Sequence, residues 1–231
     1  ENDFLVYGEE LYPQLLSQIA DPPLVIFYRG KIRLIDFNRS VSIVGTRKPT
    51  PYGIQNAVSI TADLAQAELT TISGLAFGID ALVHKTSLEH AGPTVAVIGT
   101  AVSCPYPAAH KYLYDRIIAN GGVVVSESLH VSPYSKWVFP RRNRIIAGLA
   151  KLTVVIEAAL QSGALITANY AFDYDRQVLG IPGPIFAEQS RGVNMLIKKN
   201  KAKLYTDIND ILEEFGLTKM VLKQQLLASL P

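Results

Sequence analysis

Hydrophobic positions from about residue 41 onward fall into two alternating kinds of run. Six short runs are continuous and rich in β-branched residues, which is typical of strands buried on both faces of a parallel sheet. They span residues 41–44, 69–73, 94–98, 123–126, 152–156 and 177–181. The segments between them carry apolar residues at helical spacing, for example Ile54, Val58 and Leu64. A strand and then a helix, repeated along the chain, predicts an α/β fold with a doubly wound, mostly parallel sheet.

The two ends of the chain follow a different pattern. In residues 1–40, Asp21-Pro22-Pro23 separates a short helical segment from the extended segment 24–28, which predicts an N-terminal extension with one or two strands packed on the sheet edge. Residues 41–215 form the predicted main domain, and its last helix is expected to end at Gly216. Residues 216–231 are expected to be a linker that enters a further helix.

Composition limits the functions that need to be considered. A net charge of +2 and a pI near 8.6 are too mild to identify a nucleic-acid binder, so such binding would need a local concentration of charge. The single cysteine, Cys104, excludes an internal disulfide and favours a reducing, cytoplasmic location. No apolar stretch approaches the roughly 20 residues that cross a bilayer, so no membrane partner is predicted.

The strongest local charge signal is the segment 139–148, which reads FPRRNRIIAG. An amphipathic run begins with Arg141, Arg142 and Arg144, so their guanidinium groups would lie near the positive end of a helix. An oxyanion there would be attracted both by the guanidinium groups and by the helix dipole. Ile145 and Ile146 should fix the segment to the core. The alternative is that the arginines are solvated charges or partners of nearby acids.

Loops that follow the predicted strands supply the other candidate binding groups. In an open parallel sheet, ligands bind outside the carboxyl ends of the strands. Four glycine-bearing loops fall there, at residues 45–53, 73–80, 99–107 and 162–167, and the first of them offers Thr46 and Arg47 to an anion. Neither the dinucleotide fingerprint nor the P-loop motif occurs, so no nucleotide cofactor is predicted.

Catalytic signals are weak in this sequence. The histidines show no metal-binding spacing, and His84 and His90 are expected on a helix surface, so no metal is predicted. Cys104 has no evident base beside it. Glu127 and Glu157 end strands on the functional rim, where they would serve general acid/base chemistry or, as we favour, hold the arginines in place. No catalytic residue is predicted.

Together these segments resemble the DprA/Smf DNA-processing proteins of bacteria. The resemblance rests on motifs in a fixed order, namely Ser42 to Arg47, Tyr52-Gly53, Ser73 to Ala81, Ala96 to Thr100, Tyr106-Pro107, Ser126-Glu127, Phe139 to Gly148, Glu157-Ala158 with Ser162-Gly163, and Pro182-Gly183. It covers nearly the whole chain from Tyr12 to Leu212. This chain departs from the family at Ala101-Val102-Ser103 and at His110, so loop 99–107 is expected to differ in detail.

The resemblance implies an extended Rossmann-like fold and a function in natural transformation. It implies a homodimer that binds single-stranded DNA (ssDNA), protects the incoming strand and helps to load RecA recombinase onto it. The DNA-binding positions that it implies are Gly45, Thr46, Arg47, Lys111, Lys136, Phe139, Arg141, Arg142, Arg144 and Gly163. Phosphates would meet the arginines, and an unstacked base would lie on Phe139 or Tyr106; core packing is the alternative for Phe139.

Two further questions stay open at the level of sequence. The alternative function is an enzyme similar to the nucleotide phosphoribohydrolases, although their P-G-G-x-G-T-x-x-E signature is absent and Ser162 to Leu165 occupies the comparable turn. The apolar positions Val193, Met195, Leu196 and Ile197 are a candidate dimer interface, with burial in the core as the alternative.

Overall fold

The computed structural model describes residues 3–129 and 137–218. Within these ranges nine strands form one sheet in the order β1-β2-β6-β5-β4-β3-β7-β8-β9. The strands are β1 (Asp3–Val6), β2 (Val25–Gly30), β3 (Ser40–Val44), β4 (Thr70–Ser73), β5 (Thr94–Val97), β6 (Val123–Ser126), β7 (Leu152–Val155), β8 (Gln177–Gly180) and β9 (Lys203–Leu204). The helices are α1 (Gln14–Ser17), α2 (Pro51–Gln66), α3 (Ile79–Glu89), α4 (Lys111–Ala119), α5 (Val138–Leu149), α6 (Gly163–Asp173), α7 (Glu188–Lys198) and α8 (Asn209–Leu212).

The strands from β3 to β9 pair in parallel, and the six predicted strands lie within one residue of the observed ones. Their side chains are buried on both faces of the sheet, which is why their sequences are apolar without alternation. The chain runs outward from β3 through β4, β5 and β6, and then returns to place β7 on the other side of β3. The predicted doubly wound α/β fold is therefore confirmed, and its topological switch point lies between β3 and β7.

Two helical layers cover the sheet, and successive residues of a strand point to opposite layers. Val123 and Val125 pack in the cluster that contains residues of α1, α5, α6 and α7. Val124, between them, packs with residues of α3 and α4 on the other face, where α2 and α8 also cover the sheet. Val193 and Leu196 are in the first cluster, so these two positions of the predicted dimer patch belong to the core.

The N-terminal residues extend the sheet at its β6 edge. β1 pairs antiparallel with β2, and β2 pairs antiparallel with β6. The residues after β2 consequently lie at the amino end of the parallel strands, opposite the loops considered below. The boundaries at residues 40 and 215 stay predictions, and residues 219–231 of the predicted C-terminal segment lie outside the described residues. Among the described helices, none is long and apolar enough to cross a bilayer.

Candidate nucleic-acid interface

A crevice of about 560 Å³ opens at the switch point, outside the carboxyl ends of β3 and β7. The backbone N–H of Thr46, after β3, donates to the carbonyl of Glu157, after β7, at 2.7 Å, which holds the two exits together. Six of the residues proposed from sequence line this crevice: Gly45, Thr46, Arg47, Phe139, Arg142 and Gly163. Segments far apart in sequence therefore meet in one site because the strand order places their loops side by side.

The first loop is fixed at both ends. At one end, a Cβ on Gly45 would lie 2.5 Å from the side chain of Ile79, so a larger residue would push the loop off α3. At the other end, Thr50 caps α2 and Pro51 follows at its first position. The buried Glu157 accepts from the Thr50 backbone N–H at 2.9 Å and from its hydroxyl at 2.6 Å. Glu157 therefore supports the α2 N-terminus, contrary to the expectation that it holds an arginine.

The second loop, 74–78, packs directly on the first. Ile79 donates its backbone N–H to the Thr46 carbonyl at 3.2 Å. Gly78 has a φ of +78°, and a Cβ there would lie 2.4 Å from the same carbonyl and 2.7 Å from the Cα of Arg47. This close backbone approach requires glycine. It also brings the residues before Gly78 to the mouth of the crevice beside Arg47.

Arg142 is a buried cation at the base of the crevice. Its side chain donates to the carbonyls of Gly74 and Val97, and Asp80 accepts from the Gly74 N–H at 3.2 Å on the same turn. Burial lowers the pKa of Arg142 to about 10, Asp80 opposes this change, and Arg47 adds to it through repulsion. Burial also raises the pKa of Asp80, against the opposing effect of Arg142. Two guanidinium groups thus repel each other across a site open to an anion.

The N-terminus of α6 faces the same crevice. Ser162 caps the helix by accepting the Ala164 N–H at 3.3 Å, and Gly163 is the first helical residue. Asn143 donates to the Gly163 carbonyl at 3.2 Å, which joins α5 to this helix end. The free N–H groups and the helix dipole add positive potential beside Arg47. The sequence analysis placed loop 162–167 among the candidate binding loops but named neither Asn143 nor Ser162 as a binding residue, although Ser162 before an apolar helical run is a recognisable N-cap.

Phe139 forms part of an aromatic wall rather than only of the core. It is half-buried, lines the crevice, and packs on Tyr106 with ring centroids 5.4 Å apart. Tyr106 is 49% exposed. The exposed Tyr106 and the crevice-lining Phe139 therefore offer aromatic surface to a flat ligand.

The remaining arginines of the cluster leave α5 in another direction. Arg141 and Arg144 are three residues apart, so they share one side of the helix, whereas Arg142 lies about 100° away from Arg141. Both pair with the same carboxylate oxygen of Glu127, at 2.9 and 2.7 Å. The prediction that Glu127 holds arginines is borne out by these contacts. The Arg144 side chain is 3% exposed and also pairs with Asp21 at 3.4 Å, so the geometry does not support its proposed direct contact with a phosphate.

The other residues singled out from the sequence are two lysines and two histidines. Lys111 lies outside the crevice, and its ammonium group pairs with Asp115 at 2.5 Å. Lys136 lies outside the described residues. His90 is exposed as expected, but His84 is wholly buried because α3 packs between α2 and α4 and turns this position toward the sheet. The expectation of a surface position for His84 was wrong.

Metal binding has no structural counterpart in the part of the chain that the structure describes. In residues 3–129 and 137–218, no group of three or more His, Cys, Asp or Glu side chains is arranged to hold a metal ion.

Comparison with known proteins shows where similar chains occur. The model of the DNA recombination-mediator protein A family matches residues 3–216. DNA processing protein DprA of Streptococcus pneumoniae is 41% identical over 207 residues, which are 90% of this chain and 72% of that protein. Protein Smf of Synechocystis is 38% identical over 219 residues, which are 92% of this chain and 54% of that protein. The chain therefore spans only part of these relatives' length.

Solved structures that are similar to this chain include two DNA processing proteins. The S. pneumoniae DprA structure superposes with a TM-score of 0.85 at 39% identity, covering 93% of this chain and 74% of that one. DNA processing protein A of Helicobacter pylori, described for its single-stranded DNA binding mode, has a TM-score of 0.79 at 26% identity and covers 96% of this chain and 97% of that one. A molybdenum cofactor binding protein of Rippkaea orientalis shares the fold alone, with a TM-score of 0.51 at 13% identity over 77% of this chain and 93% of that one.

The resemblance inferred from the sequence motifs is thus confirmed over nearly all of the described residues. A family match of this extent, together with these relatives, shows that the chain belongs to the DNA recombination-mediator protein A family, the DprA/Smf proteins.

Proposed function

We propose that this chain binds ssDNA in the switch-point crevice, protects an incoming strand during natural transformation and helps to load RecA recombinase onto it. The observation that carries the binding proposal is the convergence of Arg47, Arg142 and the α6 N-terminus on a crevice that is also lined by Phe139, whose ring packs on Tyr106. The similar H. pylori protein is described as binding single-stranded DNA, which supports the same ligand here.

The geometry divides the ligand into two parts. A phosphate enters beside Arg47 and the backbone N–H groups at the α6 N-terminus, while Arg142 contributes charge from below. A base lies on the Phe139–Tyr106 wall, which recognises any base by its π face. Binding of this kind shows little sequence preference and weakens with salt, because it depends on phosphate charge.

Replacement of Arg47 by alanine tests this proposal. Arg47 is exposed and forms no ion pair with residues 3–129 or 137–218, so its loss should leave folding intact. We expect weaker binding of fluorescent oligo(dT) and a slope of log affinity against log salt that is smaller by about 1. The matched control is Arg33→Ala, an exposed arginine at the opposite end of the sheet, which should bind as wild type. Equal affinity of the Arg47 variant and wild type would place the DNA elsewhere.

The partner proposals need tests of their own. A homodimer predicts twice the monomer mass in sedimentation equilibrium, and RecA loading predicts faster filament formation on ssDNA in the presence of the protein. Of the predicted dimer patch, Met195 is 37% exposed and Ile197 is half-buried, whereas Val193 and Leu196 are in the core. A cytoplasmic site of action is part of the same proposal.

The enzyme alternative receives less support from the crevice. Asp80, which lines the crevice, is engaged by the charge of Arg142 and by backbone N–H groups, and Glu157, after β7, is engaged by Thr50. We therefore expect no base release when the protein is incubated with nucleoside monophosphates and the products are separated by chromatography. Sustained release of free base would reverse this assignment.

A further inference from the structure

Phe77 is an exposed aromatic residue of loop 74–78, next to the crevice in sequence, and the proposed contacts leave it unused. Its side chain is 49% exposed. Its two neighbours both belong to the site, since Ala76 lines the crevice and Gly78 packs on the backbone of Arg47. The backbone of Phe77 therefore lies one residue from the contact between Gly78 and Arg47, the arginine that we assign to a phosphate.

The ring of Phe77 is braced rather than loose. It meets His110 edge to face, with centroids 4.7 Å apart and an interplanar angle of 63°. His110 is itself fixed, because its Nδ1 donates to the Leu75 carbonyl at 2.8 Å, and Leu75 is fully buried. An exposed aromatic ring fixed in this way loses little conformational entropy when a flat ligand stacks on it.

The strand order places the aromatic residues on one half of the rim and the groups proposed to bind phosphate on the other half. From one side to the other, the loops after β5, β4, β3 and β7 follow one another. They carry Tyr106, Phe77, Arg47 and Gly163 respectively. A strand lying along this rim can therefore keep its backbone near Arg47 and the α6 N-terminus while its bases lie toward β4 and β5.

We propose that Phe77, braced by His110, is a second base-stacking position, so that the site holds at least two bases of ssDNA: one on the Phe139–Tyr106 wall and one on Phe77. This inference rests on the proposed ssDNA function. It adds that the crevice binds more than a single nucleotide, and that the second base is held by stacking rather than by charge.

The test compares Phe77→Ala with wild type on two single strands of equal length, oligo(dT) and the same backbone with abasic sites throughout. Because stacking of a base on an aromatic ring contributes substantially to the binding free energy, we expect the variant to lose about 5-fold or more in affinity for oligo(dT). The salt slope should stay the same, and on the abasic strand the variant and wild type should bind equally. Phe77→Tyr should restore binding to oligo(dT). The control Phe4→Ala removes a similarly exposed ring, 57% exposed, on the far edge strand.

The outcomes separate this inference from the proposed function. If the variant binds oligo(dT) within about twofold of wild type, a difference too small for a stacked base, Phe77 holds no base and the inference fails. It also fails if the loss is equally large on the abasic strand, because Phe77 would then act only on loop shape. If wild type itself does not bind ssDNA, the proposed function fails. If Arg47→Ala weakens ssDNA binding and Phe77→Ala leaves it unchanged, the inference about Phe77 fails and the proposed function stands.

Discussion

The direction in which each arginine leaves α5 decides its role. The sequence places three guanidinium groups within four positions, but one helical turn cannot aim all three at one site. Arg142 reaches under the crevice, whereas Arg141 and Arg144 meet Glu127 on the other side of the helix. The arginine cluster was recognisable from the sequence. The different roles of its three members were not, because they depend on where Glu127 and Asp21 lie in space.

Arg144 should therefore matter for stability more than for DNA binding. Its buried guanidinium joins α5 to Glu127 and to Asp21 in the N-terminal extension. For Arg144→Met we expect urea denaturation to show a loss of about 1–3 kcal/mol in the free energy of unfolding. The control Arg141→Met removes an exposed partner of the same carboxylate and should cost less than about 1 kcal/mol. A folded, equally stable Arg144 variant with weakened ssDNA binding would show that it contacts phosphate after all.

His84 should make stability depend on acid pH. Burial, together with the positive charges of His110 and Arg142, lowers the pKa of His84 from 6.5 to about 3. The unfolded chain takes up a proton near pH 6.5 and the folded chain does not until about pH 3, so protonation favours unfolding as the pH falls through this window. This group's contribution is complete above pH 6.5 and declines by at most about 1.4 kcal/mol per pH unit below it.

The measurement is the difference between unfolding free energies of wild type and His84→Asn from pH 7 to pH 4. Asparagine keeps a polar group near Thr94, with which His84 Nδ1 shares a hydrogen bond of 2.8 Å. We expect the acid-induced loss of stability to be shallower in this variant than in wild type. His90→Asn, at the exposed end of the same helix, should keep the wild-type slope. Parallel curves for wild type and His84→Asn would show that His84 is accessible to protons in the folded state.

At the scale of the element, the α6 N-terminus can be tested by charge alone. A Cβ on Gly163 would meet nothing within 4 Å, so side chains fit there. In Gly163→Glu, the carboxylate at the first helical position should maintain or raise thermal stability through the helix dipole. It should also repel a phosphate, so that ssDNA affinity falls while Gly163→Gln, its neutral match, binds more tightly than the glutamate variant. Equal affinity of the two variants would remove α6 from the binding site.

Elements of this fold were predictable to different degrees, for physical reasons. Strands buried on both faces need continuous apolar runs, so β3 to β8 were visible in the sequence within one residue. β9 has two exposed residues and no such constraint, so its pairing with β8 could not be foreseen. The surface placement of His84 failed because helical periodicity gives a face but not the polar partner, Thr94, that allows a histidine to be buried.

At the scale of the whole molecule, a net charge of only +2 means that the crevice, rather than a general field, has to attract DNA. A duplex offers as many phosphates to Arg47 but keeps its bases stacked on each other, so they cannot lie on Phe139. We therefore expect ssDNA to bind at least about 5-fold more tightly than a duplex of the same length.

Measuring both ligands at a low and a high salt concentration makes this prediction specific. Both affinities should fall as salt rises, and that of the duplex should fall more steeply, because a duplex phosphate releases more counterion than a single-strand phosphate, while stacking is not screened. The ratio of ssDNA affinity to duplex affinity should consequently hold or increase with salt, and an abasic single strand should bind no better than the duplex. A ratio that collapses toward one at high salt would mean that the preference comes from charge density, and the aromatic wall of Phe139 and Tyr106 would then have no part in choosing the single strand.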